Sequence, residues 1–164
     1  MVGLPCSGKT TKAKILEEEY NALLLSTDKW HIQLFGADTH LTDHSEHDKK
    51  HFILEKILWE IAMRVLTLGT DVILDFGFWA KTDRVFFINK SKELGVNLKI
   101  HFMDVPEQEL CKRLEERNMN QPEGAFYIPM DYMKKYIGIF EPVGQDELSG
   151  KIEDNTPGFW HDCT

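Results

Sequence analysis

The sequence has few cysteines, no long apolar run and no leader that resembles a secretion signal. Cys6, Cys111 and Cys163 are an odd number without metal-type spacing, which argues against a disulfide framework and favours a reducing compartment. No apolar stretch reaches about 18 residues, the length that a membrane-spanning helix needs. No charged stretch followed by an apolar one marks a signal peptide. These absences predict a soluble, cytoplasmic protein without a membrane partner.

Positive charge is also scarce, because 27 acidic residues outnumber 19 lysines and arginines and leave a formal charge of −8. This balance disfavours a long nucleic-acid track or an anionic membrane as partner, while a local basic pocket is compatible with it. Internal repeats and low-complexity segments are absent. The 164 residues predict one domain over residues 1–164, expected as a monomer with a dimer as the alternative.

The sequence does contain a phosphate-binding loop at residues 3–10 (GLPCSGKT), which fits G-x-x-x-x-G-K-[ST] without a mismatch. Glycines let successive backbone N–H groups curl around a phosphate chain, and the following helix adds its positive N-terminal end. Lys9 is expected to reach the β- and γ-phosphates of ATP, and Thr10 to offer its hydroxyl to Mg²⁺. The residues predicted to bind the nucleotide are Gly3, Pro5, Cys6, Ser7, Gly8, Lys9, Thr10 and Thr11.

A hydrophobic strand normally precedes this motif, and here only Met1 and Val2 stand before Gly3. We therefore expect the first strand of the sheet to be truncated. A chance match in a glycine-rich turn is the alternative, which the helical pattern after the motif disfavours.

Two apolar runs predict buried parallel strands, and each leads to a carboxylate at its carboxyl end. Residues 22–26 (ALLLS) lead to Asp28, and residues 70–75 (TDVILD) end on Asp75. Ligands of open parallel sheets bind outside these strand ends, which predicts Asp28 as a catalytic residue, with the N-cap of the next helix as the alternative. Asp75 has the place of a Walker B carboxylate and is predicted to hold Mg²⁺ together with Thr10.

Helical and alternating patterns predict the other elements. Helices are expected over residues 9–20, 29–34, 51–68, 81–94, 107–118 and 130–140, a third strand over 97–105, and a short edge strand over 150–154. The tail over residues 155–164 carries no functional signal. The inward stripe predicted for the 51–68 helix consists of Leu54, Ile57, Leu58, Ile61, Ala62, Val65 and Leu68.

The stretch after the second strand is aromatic and then basic. Phe76, Phe78 and Trp79 are expected either as a pocket wall or as core. Arg84, one turn into the following helix, is a candidate contact for substrate or phosphate. A surface ion pair with Asp83 or another carboxylate is the alternative.

Residues 36–51 are polar and contain His40, His44, His47 and His51. Their spacing would place several imidazoles on one helical face, as in some metal sites, but no second cluster completes such a site. A solvated, pH-sensitive loop or a lid that faces the substrate is the alternative.

Arg113 and Arg117 lie four residues apart on a predicted helix, where two guanidinium groups can close on a triphosphate during transfer. Pairing with Glu109 and Glu115 within the helix is the alternative. The loop that follows contains glycine and proline, so we expect a lid over about residues 113–128.

Taken together, these motifs resemble a group of small P-loop kinases, described as AAA domain or "predicted kinases" and related to 5′-hydroxyl polynucleotide kinases, zeta toxins and chloramphenicol phosphotransferase. The resemblance covers roughly residues 1–154. The residues that carry it are the phosphate loop, Ser26-Thr27-Asp28, VILDFGFW at 72–79, Arg113 with Arg117, and Phe140-Glu141-Pro142.

The resemblance implies an α/β fold of the P-loop NTPase type, a three-layer sandwich with a central parallel sheet in kinase-type strand order and a helical lid. It implies that Asp28 is the general base and that Arg113 and Arg117 stabilise the transferring phosphoryl group. Many relatives have an arginine three residues after the base, where this chain has His31 as a candidate substrate contact.

The function expected from these residues is transfer of the γ-phosphate of ATP, with Mg²⁺, to a hydroxyl of a small molecule. Phosphoryl transfer needs positioning and charge neutralisation more than covalent chemistry, and Lys9, Asp28, Arg113 and Arg117 supply them. A nucleic-acid 5′-hydroxyl kinase and a nucleotide-binding regulatory module with little catalysis are the alternatives.

Overall fold

The computed structural model of the protein describes residues 1–37, 44–120, 122 and 124–149. Within this part the chain forms seven helices and two strands. They are α1 (Lys9–Tyr20), β1 (Leu23–Ser26), α2 (Thr27–Phe35), α3 (His44–Thr67), β2 (Val72–Asp75), α4 (Lys81–Leu94), α5 (Glu107–Asn120), α6 (Met130–Ile139) and α7 (Gln145–Leu148). None of these helices combines the length and apolar content that crossing a membrane requires. The strand predicted over 150–154 and the tail over 155–164 lie outside the described residues.

A small parallel sheet organises the molecule. The two strands β1 and β2 pair in parallel, with Ser26 opposite Asp75 at their carboxyl ends. Val2 then forms parallel bridges to Gly77 on one side and to Phe102 on the other. The spatial order is therefore β1, β2, the segment around Val2 and the segment around Phe102.

The prediction of a third strand over residues 97–105 is wrong. Within this segment only Phe102 forms a bridge. Val2 N donates to His101 O at 2.9 Å, and Met103 N donates to Val2 O at 2.9 Å. Beyond Val2 the chain turns into the phosphate loop, so it presents no further backbone to this segment. The short segment before the loop thus lies where the first strand was expected.

Both faces of the sheet are covered by helices. Because neighbouring strand residues point to opposite faces, Leu24 and Leu25 contact different helices. On one face Ala13 and Leu16 of α1 pack with Met1, Leu24 and Ile73. On the other face α3 and α4 pack through Leu25, Leu58, Trp59, Ala62 and Phe87. This two-sided burial explains why both strand sequences are continuous apolar runs.

The inward face of α3 is narrower than the sequence predicts. Leu54, Leu58 and Ala62, spaced four residues apart, are at most 4% exposed. In contrast, Ile57 is 48% exposed and Ile61 is 36% exposed, which corrects their assignment to the core. The same correction applies to Leu68, which is 66% exposed beyond the helix end. The sheet contacts one ridge of the helix, and residues about 100° away from it face outward.

The start of α2 decides between two roles for Asp28. The helix begins at Thr27, and its N-cap is Ser26 in an extended conformation. Asp28 therefore lies in the first turn and is not the N-cap, so that alternative is wrong. Its negative charge is favourable there, close to the positive end of the helix.

Two polar segments contain helix where none was expected. The helix α3 begins at His44, so the second half of the histidine-rich segment is helical, whereas residues 38–43 lie outside the described part. The helix α7 (Gln145–Leu148) lies between the helix predicted over 130–140 and the strand predicted over 150–154, where the sequence indicated no element. Glu147 of α7 is 3% exposed and pairs with Arg84, a distant partner that the local sequence does not reveal.

A third cluster of buried side chains lies around the predicted lid. Asn118 of α5 donates to Ile128 O at 2.7 Å and accepts from Ile128 N at 3.4 Å, so the chain after α5 is attached to that helix. The buried members of the cluster are Leu4, Leu110, Leu114, Phe126, Ile128 and Met133. The base of the lid is thus packed directly against the phosphate loop through Leu4.

Candidate functional site

A cavity of about 850 Å³ opens at the carboxyl edge of the sheet. Its location follows from the topology, because β1 and β2 end side by side and the phosphate loop begins next to them. Its wall includes Lys9, Thr10, Asp28, Asp75, Arg113 and Arg117. Six side chains that the sequence analysis assigned to chemistry therefore share one cavity.

The phosphate loop has the open, glycine-dependent backbone that its motif predicts. Gly3 has a φ of 145°, and a Cβ there would approach Ser7 Oγ to 2.9 Å and Met103 O to 3.1 Å. Gly8 has a φ of 91° and is the N-cap of α1, and Cys6 adopts a positive φ of 62°. Only glycine fits at residue 3 without displacing the loop.

Lys9 folds back over the loop from the first turn of α1. Its Nζ donates to Leu4 O at 3.0 Å. Burial lowers the pKa of the Lys9 ammonium, and the carboxylates of Asp75 and Asp28 oppose this effect. A buried ammonium that depends on nearby anions is suited to receive phosphate oxygens.

The two residues predicted to hold Mg²⁺ lie in direct contact. Thr10 Oγ1 donates to Asp75 Oδ2 at 2.7 Å. The other oxygen, Asp75 Oδ1, is buried and has no hydrogen-bond partner among the described residues. An unsatisfied buried carboxylate oxygen beside a hydroxyl fits the oxygen-ligand chemistry of Mg²⁺, which takes few protein ligands next to phosphates.

Asp28 faces the same cavity from the first turn of α2, and its side chain is 68% exposed. Asp28 Oδ1 lies 3.2 Å from His51 Nε2 of α3. A carboxylate at this edge, across from the phosphate loop, has the location that a base for an acceptor hydroxyl needs.

Arg113 and Arg117 of α5 both line the cavity but differ in their partners. Arg113 Nε donates to Glu109 Oε1 at 2.8 Å, the pairing within the helix that was the alternative for it, and its Nη1 reaches Cys6 O at 3.4 Å. Arg117 donates from Nη2 to Phe126 O at 3.2 Å, and its buried Nε has no hydrogen-bond partner among the described residues.

The cationic side chains converge on the loop. Burial raises the pKa of the Cys6 thiol, and the charges of Arg117, Lys9 and Arg113 oppose that rise. Three positive groups around one loop residue create the field that an oligophosphate requires.

The aromatic residues after β2 line the cavity, and two of them also pack against the hydrophobic core. Phe76, Phe78 and Trp79 all line the cavity, and Phe76 and Phe78 also pack against the cluster under α3 and α4. Trp79 Nε1 donates to Gly3 O at 3.2 Å, which ties this wall to the first residue of the phosphate loop. The sequence was compatible with a pocket wall or with core for these aromatic residues, and the structure contains both arrangements.

Arg84 and His31 are not presented to the cavity, which corrects both expectations of substrate contact. Arg84 is 2% exposed and donates to Glu147 Oε2 at 2.5 Å and to Phe78 O at 3.0 Å. Its ion pair is buried, so the alternative of a surface pair is corrected as well. His31 is fully buried, and its ring stacks on that of His47 with centroids 4.5 Å apart.

In the part of the chain that the structure describes, the histidine-rich segment contributes aromatic rings to packing and forms no metal-binding cluster. Within it, no three His, Cys, Asp or Glu side chains are placed to hold a metal ion together. His47 packs beside His31 and Phe126, and His51 points to Asp28. His40 and the side chain of His44 lie outside the described residues.

The sequence did not indicate several charged residues of the cavity wall, among them Glu55 and Asp83, nor the contact of His51 with Asp28. His51 Nδ1 lies 3.5 Å from Glu55 Oε1. Burial and the neighbouring Glu55 raise the pKa of the Asp83 carboxyl to about 6, against a lowering effect of Arg84. His51 and Glu55 lie one turn apart on α3, a spacing that could have indicated the pair, whereas the sequence suggested Asp83 only as an ion-pair partner of Arg84.

The family model with the description AAA domain matches residues 1–143. The chain belongs to the AAA domain family. No curated protein matches the sequence.

Membership makes the chain a nucleotide-binding P-loop protein of α/β architecture, in agreement with the phosphate loop and the parallel sheet. It confirms the P-loop part of the resemblance. The relation of this AAA domain to 5′-hydroxyl kinases, zeta toxins or chloramphenicol phosphotransferase stays a prediction.

Proposed function

We propose that this AAA domain is an ATP-dependent phosphotransferase that acts on a hydroxyl group of a small molecule. The observation that carries the proposal is the position of Asp28, which lines the same cavity as Lys9 and Thr10 of the phosphate loop. A nucleotide-binding protein that only switches has no need for a carboxylate at the acceptor side. The family includes kinases, and the strand order with helices on both faces of the sheet supports a kinase-type three-layer sandwich.

In the proposed reaction the acceptor oxygen attacks the γ-phosphorus of ATP. The acceptor O–H bond breaks and its proton passes to Asp28, while the bond between the γ-phosphorus and the β–γ bridging oxygen breaks and ADP leaves. Lys9 contributes positive charge at the β- and γ-phosphates. Thr10 and Asp75 would hold Mg²⁺, which supplies charge neutralisation at the phosphate oxygens when bound.

The lid arginines fit the stabilisation of charge on the transferring group. Arg117 has a buried Nε without a hydrogen-bond partner among the described residues, so it has a donor to offer. Arg113 already reaches the loop at Cys6 O, one helical turn away from Arg117. Guanidinium groups that bind phosphoryl oxygens strengthen their hydrogen bonds as charge develops.

The acceptor side of the cavity favours a compound without phosphate groups. Asp28, Glu55 and Asp83 lie on this wall, with His51 between the first two. These carboxylates and the formal charge of −8 would repel the backbone of a polynucleotide end. A small neutral or cationic hydroxyl compound meets no such repulsion.

A kinase screen tests the proposal. Purified protein with γ-labelled ATP and Mg²⁺ is offered nucleosides, oligonucleotide 5′ ends, sugars, nucleotide sugars, aminoglycosides and phenicols, with Lys9→Ala as the blank. We expect label on one small-molecule class, absent in the blank. Asp28→Asn should reduce kcat by about 100-fold or more with nearly unchanged ATP affinity.

Each other outcome contradicts part of the proposal. An unchanged rate in Asp28→Asn removes Asp28 as the base. Label on oligonucleotide ends, with salt-dependent binding, supports the nucleic-acid kinase. Tight binding of MgATP without transfer to any acceptor supports a regulatory module.

A further inference from the structure

We infer that His51 is a positioning residue for Asp28, acting as an imidazolium that bridges Asp28 of α2 and Glu55 of α3. The inference rests on the proposed function, because it assigns His51 a part in presenting the base. His51 acts on the reaction through Asp28, its hydrogen-bond partner.

Carboxylates near both ring nitrogens favour the doubly protonated form of His51. His51 Nε2 lies 3.2 Å from Asp28 Oδ1, and His51 Nδ1 lies 3.5 Å from Glu55 Oε1. An ionised carboxylate only accepts hydrogen bonds, whereas a neutral imidazole has one donor and one acceptor. Two carboxylates at the two ring nitrogens are therefore both satisfied only when His51 carries two protons.

The electrostatic surroundings agree with this assignment. Burial by itself lowers the pKa of His51, but the hydrogen bonds and charges of Asp28 and Glu55 outweigh it and raise the pKa to about 9. The other titratable groups around the ring are His31 of α2, with ring centroids 5.9 Å apart, and His47 one turn earlier on α3, at 5.6 Å. Asp83 of α4 interacts electrostatically with Glu55, the residue that lies next to His51 Nδ1.

Burial gives the bridge its rigidity. The Asp28 side chain is 68% exposed. The side chains of His51 and Glu55 are only 23% and 15% exposed and belong to the long helix α3, which packs against α2. A largely buried partner on a neighbouring helix thus holds the Asp28 carboxylate at the cavity.

Two functional consequences follow for the base. The imidazolium favours the charged form of Asp28, which is the form that can accept a proton. When Asp28 receives the acceptor proton, it loses this stabilisation, which favours release of the proton to solvent. His51 keeps both its protons throughout, and loses one only at alkaline pH.

The deciding experiment is an NMR pH titration of the histidine ring protons in the free protein. The His51 signal is assigned from its absence in His51→Gln. We expect it to titrate well above its ordinary value in the wild type and to drop by about one pKa unit or more in Asp28→Asn. Lys50→Gln is the matched control, because Lys50 is the adjacent positive residue on α3 and pairs with Glu46 at 2.6 Å. That control should leave the His51 titration unchanged.

A kinetic arm uses the acceptor that the screen identifies. His51→Gln should move the acid limb of the pH profile of kcat/KM upward by about one pH unit. Lys50→Gln should leave the profile in place. A purely structural role of His51 would lower the rate at every pH without moving the limb.

The outcomes separate the two proposals. A His51 that titrates near its ordinary value, or that ignores Asp28→Asn, overturns the inference even if phosphoryl transfer is intact. A shifted titration without any transfer in the wild type overturns the proposed function and the positioning role of His51 in it, while the ion pair stands. Asp28→Asn changes the partner of His51 and leaves His51 itself in place. A titration of His51 that does not change in Asp28→Asn therefore contradicts the inference even if His51→Gln folds poorly.

Discussion

Thr10 joins the phosphate loop to β2 through one hydroxyl group. The hydroxyl donates to Asp75 Oδ2 at 2.7 Å, and the other oxygen of Asp75 lacks a partner among the described residues. Both groups would act on nucleotide affinity through Mg²⁺. The contact therefore leads to a prediction about metal-dependent binding.

We predict that Thr10→Val weakens ATP binding by about tenfold or more in the presence of Mg²⁺, because it removes a ligand hydroxyl and leaves Asp75 without its donor. With EDTA in place of Mg²⁺, the loss should be much smaller. Isothermal titration calorimetry under both conditions measures the difference. Thr10→Ser keeps the hydroxyl and is the control. Equal losses with and without the metal would show that Thr10 acts only through the loop structure.

Asp83 has a partly buried carboxyl group that makes the stability of the protein depend on pH. Its Oδ1 is buried without a hydrogen-bond partner among the described residues, and burial raises the pKa of the carboxyl from 3.8 to about 6. Since the folded state binds this proton more tightly than the unfolded state, the free energy of unfolding falls as pH rises from 3.8 to about 6. Above that range the ionised side chain lowers the free energy of unfolding by an amount that no longer changes with pH.

We predict that Asp83→Asn raises the free energy of unfolding at pH 8 by about 1 kcal/mol, a value reduced for solvent screening. The gain should vanish near pH 4, where the carboxyl is protonated in the folded protein. Urea denaturation at the two pH values tests this, with the exposed Asp71→Asn as control. A gain of equal size at both pH values would contradict the cause given.

At the scale of elements, the short helix α7 is attached by one buried ion pair. Arg84 and Glu147 have side chains that are 2% and 0% exposed, and Arg84 also donates to Phe78 O, Trp79 O and Pro142 O. The adjacent Asp146 pairs with Lys81 at 2.8 Å on the surface. Two neighbouring acids of α7 thus form ion pairs that differ mainly in burial.

We predict that Glu147→Ala lowers the free energy of unfolding by about 3 kcal/mol or more, because it leaves a buried guanidinium without its counter-charge. Asp146→Ala should cost much less, since water screens the exposed pair. Chemical denaturation of the two variants side by side gives the comparison. Equal small costs would mean that α7 is not held by this pair.

At the scale of the whole molecule, nucleotide binding connects regions that are distant in the chain. The cavity brings together the phosphate loop, the ends of β1 and β2, and α5. The residues that line it range from Pro5 to Tyr136. A ligand bound there is expected to stabilise the domain as a unit.

We predict that MgATP at 100 times its Kd raises the free energy of unfolding by about 2.7 kcal/mol, as mass action requires of a ligand that binds only the folded state. Thermal or urea unfolding with and without nucleotide measures the shift. Lys9→Ala should show almost none, because it removes the ammonium at the phosphates. A wild type that is insensitive to MgATP would contradict the nucleotide site.

Local sequence was sufficient for the phosphate loop, for the carboxylate that ends β2 and for most helix limits. The interval Lys81–Leu94 is the same in prediction and structure, and α1 also begins and ends as predicted. These features depend on residues that are contiguous in the chain: glycines at positive φ, apolar periodicity and a stop signal such as Gly95. Each can therefore be recognised without knowledge of the fold.

Contacts between distant residues could not be predicted in this way. The pairing of His51 with Asp28 joins residues 23 positions apart, and that of Arg84 with Glu147 joins residues 63 positions apart. The missing third strand and the exposed Ile57 have the same origin, because a strand needs a paired backbone and a buried face needs a neighbour. Residue types and spacing identified a phosphate-binding protein, whereas the folded chain selected the partners of each charged group, since partner choice depends on distance in space.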